Sequence, residues 1–312
     1  TACRVEGFWD SRFFPGTESI TLAEKIIEDR MTQLFSITDT HEVNAQPHSA
    51  TQSNQIVFKA TLKRGNIVFY LSVLDGGHIS HKYSLPDGIE TFTFPMLNGQ
   101  VNYDLLEQKI IQKKPRLIIV GNTSFPLEID YPKLKKIANI TGALLHADIA
   151  HTSPFIISKI HKPVLPYADF VTIDTGKNLR GPRGGILIYN KNYRNKIRTA
   201  IFPQIQSSPN QTALIAKAMC LSIWTHESML VYAKKLIENI NILITNLKSE
   251  GIDVLYPNSD THLALLNLSK TIYTGKEFEY ICAKNNIFLN RNQIPNDTLS
   301  PWIGSGVRLS ST

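Results

Sequence analysis

The stretch FVTIDTGKNLRGPRGGILIY, residues 170–189, decides how this chain is read. Two apolar runs, Phe170–Asp174 and Gly185–Tyr189, flank a polar loop that carries Lys177. The runs are apolar at successive positions. That suits parallel strands covered by helices on both faces. Lys177 follows the first run closely. A side chain at the carboxyl end of such a strand faces the ligand crevice. A lysine there, desolvated and near other cations, offers a free amine for Schiff-base formation. A surface lysine in a basic loop is the competing explanation.

The pattern extends upstream. Asn66–Leu71, Arg116–Gly121 and Leu144–Asp148 also read as strands. Between them, Tyr103–Lys113 and Tyr131–Thr141 have helical periodicity, with Gly142 as a C-terminal stop. Strand and helix in alternation predict a doubly wound α/β sheet. Thr21–Phe35 reads as an amphipathic helix, and residues 209–247 as one long helix or a broken pair. After Gly251 come expected strands Val254–Tyr256 and Leu263–Leu268, a helix Gly275–Asn286, a loop and a last strand. The expected organisation is an N-terminal arm (1–15), a large domain (16–210), a helical linker (211–250) and a small α+β subdomain (251–312).

Composition narrows the class. The chain has 312 residues, 42% of them hydrophobic and 19% charged, ample for a buried core and unlike a disordered chain. Its three cysteines, Cys3, Cys220 and Cys282, form no metal or redox motif, so no metal is expected. No run reaches the ~20 apolar residues of a membrane span, so no membrane is expected. The net charge of +7 is spread along the chain. A nucleic-acid binder concentrates it on a face or arm, so that class ranks last.

Four further clusters carry chemistry. Asp148 and His151 stand in ADIAH at the end of a strand, where an Asp can keep a pyridine ring nitrogen protonated. An N-cap Asp beside a structural His is the alternative. Ser49, Ala50 and Thr51 open a helix running to about Leu62, where free N–H groups and hydroxyls make a phosphate cradle or an ordinary cap. DGGH, residues 75–78, turns sharply and presents His78, able to stack on an aromatic ring. GSGVR, residues 304–308, presents Arg308 for bidentate capture of a carboxylate.

These motifs, in this order, resemble the serine hydroxymethyltransferase family from about Glu6 to Arg308. They are QPHS…QxN, GGH, DxAH after a strand, KxLxGPRGG, NxNxxPxD and SGxR. The resemblance implies an aspartate-aminotransferase-like fold (pyridoxal phosphate fold type I), with a mostly parallel sheet in the large domain. It implies pyridoxal 5'-phosphate as cofactor, tetrahydrofolate as a co-substrate, a small amino-acid substrate and a homodimer with shared active sites. It also implies a cytoplasmic protein, or an organellar one if a preceding segment carries a signal. The implied roles follow from matched positions. Lys177 is the Schiff-base lysine, Asp148 the partner of the pyridine nitrogen, and His78 the stacking ring. His151 lies near the phenolic oxygen with Thr123. Ser49, Ala50 and Thr51 hold the phosphate, Arg308 the substrate carboxylate, and Glu6 is the acid/base. Asn292 falls near folate, and Ser207 and Ser208 take the place of a Gly-Gly donated by a neighbouring subunit.

Departures accompany the match. A family Tyr-Tyr pair reads Phe13-Phe14 here, another Tyr is Arg4, a His before the lysine is Gly176, and Asp174 interrupts a Thr run. The expected reaction is therefore making or breaking the Cα–Cβ bond of a β-hydroxy amino acid. A folate-independent threonine aldolase or transaldolase, or a non-catalytic cofactor-binding relative, is the alternative on the same scaffold.

Overall fold

The computed structural model describes residues 4–312. Helix α1 (Glu18–Phe35) starts one turn earlier than its apolar stripe suggests. Then follow β1 (His41–Asn44), α2 (Ala50–Thr61), β2 (Ile67–Tyr70), β3 (Glu90–Thr93) and α3 (Tyr103–Lys113). Next come β4 (Leu117–Gly121), α4 (Tyr131–Thr141), β5 (Leu144–Asp148), α5 (Ser153–Ile157), β6 (Phe170–Asp174) and β7 (Gly185–Asn190). These seven strands form one sheet in the order β1-β7-β6-β5-β4-β2-β3. Strands β6, β5, β4, β2 and β3 are mutually parallel. The sheet is the mostly parallel α/β arrangement expected.

One strand departs from the parallel pattern. β7 runs antiparallel to both β6 and β1. The Lys177 loop is too short for a helical crossover, so the chain doubles back as a hairpin.

Both faces of the sheet are covered, which explains its apolar runs. Ile118, Val120, Leu145, Ala147, Val171 and Ile173 face one core together with α1 and α4. The alternating Leu117, Ile119, Leu144 and Phe170 face another with Ile56, Val57 and Phe58 of α2. The two-residue side-chain period of a strand sorts neighbours to opposite cores.

The stretch after residue 209 is a broken pair, α6 (Gln211–Ile223) and α7 (His226–Ser249). Leu214, Ala218 and Leu221 of α6 join the first core. Along α7, Ala233 and Leu236 pack on Phe155 of α5, while Ile240 and Ile244 pack on a smaller sheet. That sheet is antiparallel, with β8 (Leu263–Asn267), β10 (Gly306–Ser310) and β9 (Asn290–Asn292) in that order. Helix α8 (Gly275–Lys284) precedes β9. The expected strand Val254–Tyr256 is only a bridge from Val254 to Leu266, on the edge of β8 that β10 leaves open. No helix among the described residues is long and apolar enough to cross a membrane. Cys220 and Cys282 are free thiols, and Cys3 lies outside the described residues.

Candidate active site

The carboxyl ends of β4, β5 and β6 converge with the Gly76-Gly77-His78 turn after β2. Gly77 is demanded there: a Cβ on it would stand 1.9 Å from the Leu71 carbonyl oxygen. The tight turn brings His78 back over the end of the sheet. Gly121, the last residue of β4, similarly leaves room for Asp148, whose carbonyl oxygen would be 2.2 Å from a Cβ there.

Asp148 is the electrostatic centre. It is 4% exposed, and its Oδ2 accepts from Asn54 Nδ2 at 2.8 Å and faces His81 Nε2 at 3.1 Å. Its Oδ1 accepts from the Ala150 N–H at 3.1 Å. Burial opposes the charge, but the bond and charge of His81, the charge of His78 and the Asn54 amide outweigh it. They hold the carboxyl well below the usual range. Asp148 is thus a buried, permanent anion. His78, His81 and Asp148 bring potential ligand atoms within 4.8 Å of one another, the only such group among the described residues. Asn54 and His81 already occupy one carboxylate oxygen, which leaves a structured anion suited to a single further donor.

Lys177 responds to that anion. Burial pushes its amine down, Asp148 and Asp174 push it up, and Arg308 and Arg183 push it down again; the net direction is down. Asp174 Oδ2 lies 3.9 Å from Nζ. Lys177 lines a cleft of about 930 Å³ with His151, Asn178, His262, Asn290 and Arg308. His78 is driven to about 4, by burial first and by neighbouring His81, Lys177 and Arg308 against the pull of Asp148. Its ring is uncharged at neutral pH and free to pack on an aromatic ligand.

Arg308 donates from Nη1 to the Thr123 carbonyl at 2.6 Å and from Nε to Asn290 Oδ1 at 3.0 Å. These bonds fix the guanidinium in the cleft and leave its remaining N–H groups to a carboxylate. Thr123 Oγ1 is buried without a partner among the described residues, as a hydroxyl reserved for a ligand would be. Asn292 lies beside this group, its amide donating to Ser124 Oγ at 3.3 Å.

Ser49 caps α2, its Oγ accepting from the Gln52 N–H at 3.0 Å. The N–H groups of Ala50 and Thr51 are first-turn donors with no intrahelical acceptor. Those donors, with the half-buried Thr51 hydroxyl, fit a phosphate. The cradle is anchored by a residue outside the motifs. Lys217 of α6 is 1% exposed and donates to the carbonyls of Ala45, Pro47 and Gly185 at 2.7, 2.9 and 2.9 Å. Gly184 allows this approach, since a Cβ on it would lie 2.2 Å from Lys217 Cε, and Gly185 lets the start of α2 pack on β7, since its Cβ would lie 2.3 Å from the Ser49 carbonyl oxygen. A lone lysine in the apolar run ALIAKAMCL was the available signal.

Glu6, Ser207 and Ser208 form a separate group that does not line the Lys177 cleft. Ser207 Oγ is 3.4 Å from Glu6 Oε1, and the Val5 N–H donates to Ser208 Oγ at 3.3 Å. Glu6 Oε2 is buried without a partner among the described residues. Arg4 stands 5.9 Å over the Phe14 ring. The structure therefore brings together Lys177, Asp148, His78, His151, Thr123 and Arg308, and groups Glu6 with the two serines elsewhere.

Comparison with known proteins gives a consistent result. The family profile described as serine hydroxymethyltransferase matches residues 2–312. Serine hydroxymethyltransferase 1 of Ralstonia nicotianae is 34% identical over 311 residues, 98% of this chain and 74% of that protein. The serine hydroxymethyltransferases of Cupriavidus necator and Ralstonia pickettii are each 35% identical over the same shares.

Proposed function

The chain belongs to the serine hydroxymethyltransferase family, and from that premise we propose a working assignment for each part of the site. It is a serine/glycine hydroxymethyltransferase-like transferase that makes or breaks the Cα–Cβ bond of a β-hydroxy amino acid. The observation that carries the assignment is the buried, hydrogen-bonded carboxylate of Asp148 at the end of β5 together with Lys177 in the cleft just beyond β6. The residues fit pyridoxal phosphate: unpaired first-turn N–H groups for a phosphate, an orphaned Thr123 hydroxyl, an uncharged His78 ring and an acceptor for a ring N–H. When bound, that group supplies the electron sink for a carbanion at Cα.

The chain's own residues do the rest. Lys177 offers its amine as the nucleophile that anchors the cofactor, and burial favours the neutral amine that this needs. Asp148, as a buried acceptor, would keep a proton on the pyridine nitrogen. Arg308 orients the amino-acid carboxylate with the N–H groups not spent on Thr123 and Asn290. Glu6 takes the proton of the substrate hydroxyl, after which the Cα–Cβ bond parts and the aldehyde leaves. Because Glu6, Ser207 and Ser208 stand apart from the Lys177 cleft, they serve the cleft of a second copy in a homodimer. Their mutual contact and the unpaired Glu6 oxygen support that reading. The cytoplasmic placement rests on the resemblance and is read out by fractionation.

Tetrahydrofolate as one-carbon acceptor is part of the proposal. A folate-independent aldolase reading is favoured by one observation. Phe14 is exposed beneath Arg4 and offers no phenol to the substrate. The deciding experiment follows serine conversion to glycine with pyridoxal phosphate, with and without tetrahydrofolate. Turnover only with folate supports hydroxymethyl transfer; equal turnover without it supports the aldolase. No turnover of serine or threonine under either condition would contradict both.

A further inference from the structure

Beside His151 a chain of polar contacts links buried residues of the cleft wall, and the roles assigned above leave it unused. It begins at Asn178, next to Lys177. The buried Asn178 amide nitrogen lies 2.6 Å from the His151 carbonyl oxygen. The same nitrogen is 3.0 Å from Nδ1 and 3.2 Å from Nε2 of His262. His262 stands just before β8 and is 2% exposed. Its Nε2 is 3.3 Å from Nδ1 of His151, and the two rings are within 14° of parallel. On its other side His262 faces Phe155, with ring centroids 6.1 Å apart.

Proton positions follow from donor chemistry. The His151 carbonyl can only accept, so the Asn178 atom beside it is the amide nitrogen. That nitrogen has two protons and no acceptor role. One goes to the carbonyl, and the other meets a bare ring nitrogen of His262. The nearer is Nδ1, so the His262 proton stands on Nε2. That proton faces Nδ1 of His151, which must be bare in turn. The His151 proton then stands on Nε2, which has no hydrogen-bond partner in the chain among the described residues. Both rings are neutral. Burial, with the charges of Lys177 and Arg308, holds His262 to about 3 and His151 well below its ordinary value. With charge fixed, the tautomer is the remaining variable.

We propose that Asn178 and His262 form a positioning relay that fixes His151 as its Nε2–H tautomer and so presents a hydrogen-bond donor to the cleft. The consequence for function rests on the assignment of His151 to the cofactor's phenolic oxygen. An oxygen that carries negative charge there needs a donor, and the opposite tautomer would present a lone pair.

The test is the imidazole nitrogen spectrum of the cofactor-free protein labelled with ¹⁵N-histidine. The His151 signals are assigned by their loss in His151→Gln. The parent is expected to show His151 protonated on Nε2. His262→Phe keeps the ring contact with Phe155 but removes the relay, and should leave His151 as a mixture of tautomers. His262→Gln can donate from its amide in the same direction and should restore the Nε2–H form. Pyridoxal phosphate should be held about tenfold more weakly by the Phe variant and near parent strength by the Gln variant. A parent protonated on Nδ1, or a His151 spectrum unchanged in the Phe variant, overturns the relay; the parent spectrum alone decides if the variants do not fold. Failure of the cofactor assignment is distinguishable, because it would appear as a parent that binds no pyridoxal phosphate whatever its tautomer.

Discussion

Asp148 keeps its charge in a place that would ordinarily neutralise a carboxylate, and the means are local. His81, His78 and Asn54 together outweigh its desolvation. Asp148→Asn retains size and most of the hydrogen bonding but loses the anion. At saturating cofactor its kcat should fall by about 10³ or more, with the fold intact by circular dichroism. A variant within tenfold of the parent would remove Asp148 from the mechanism. The buried imidazoles make a second prediction. His78 is held to about 4, His146 and His262 to about 3, each mainly by burial. Unfolded histidine takes up a proton near pH 6.5. Between those values the unfolded chain binds more protons, so stability rises with pH. Asp148 has the same sign, its contribution being lost as pH falls through the acidic range. The urea midpoint of the cofactor-free protein should therefore drop steadily from pH 6.5 to pH 4. A flat midpoint across that interval would contradict neutral burial.

At the scale of elements, Lys217 of α6 ties the loop that starts α2 to β7. Burial lowers its amine to about 7, yet three carbonyls match the three protons of an ammonium group. Lys217→Met leaves those carbonyls without their donor and should cost about 3 kcal/mol in urea unfolding. It should also loosen phosphate binding at Ala50 and Thr51. A variant as stable as the parent would show that the loop holds itself. The sequence made the central strands legible because β4, β5 and β6 are buried on both faces. Strands β1 (HEVN) and β3 (ETFT) were not legible: they are short, polar edge strands. An apolar run carries no direction, so the antiparallel β7 was not legible either. Site residues at strand ends, Lys177 and Asp148, could be picked out by position. His81, Asn54, Asn178 and His262 could not, because their meaning lies in partners as far as 111 residues away.

At the scale of the whole molecule, the site residues fall into two groups that one copy does not join. Lys177, His151 and Arg308 line one cleft, while Glu6, Ser207 and Ser208 gather elsewhere. A homodimer with shared sites reconciles them. In that case Lys177→Ala and Glu6→Gln, each inactive alone, should recover activity when refolded together. Random pairing gives mixed dimers with one complete site, about a quarter of the parent's sites overall. Absence of recovery in verified mixed dimers would place Glu6 in its own chain's cleft. All of this depends on Lys177 being the residue that anchors pyridoxal phosphate. The most direct measurement is borohydride reduction of the protein incubated with pyridoxal phosphate, followed by peptide mass analysis. A single pyridoxyl group is predicted on the peptide containing Lys177, and none in Lys177→Ala. Label on another lysine, or an unmodified Lys177 in a protein that has bound the cofactor, would contradict the account.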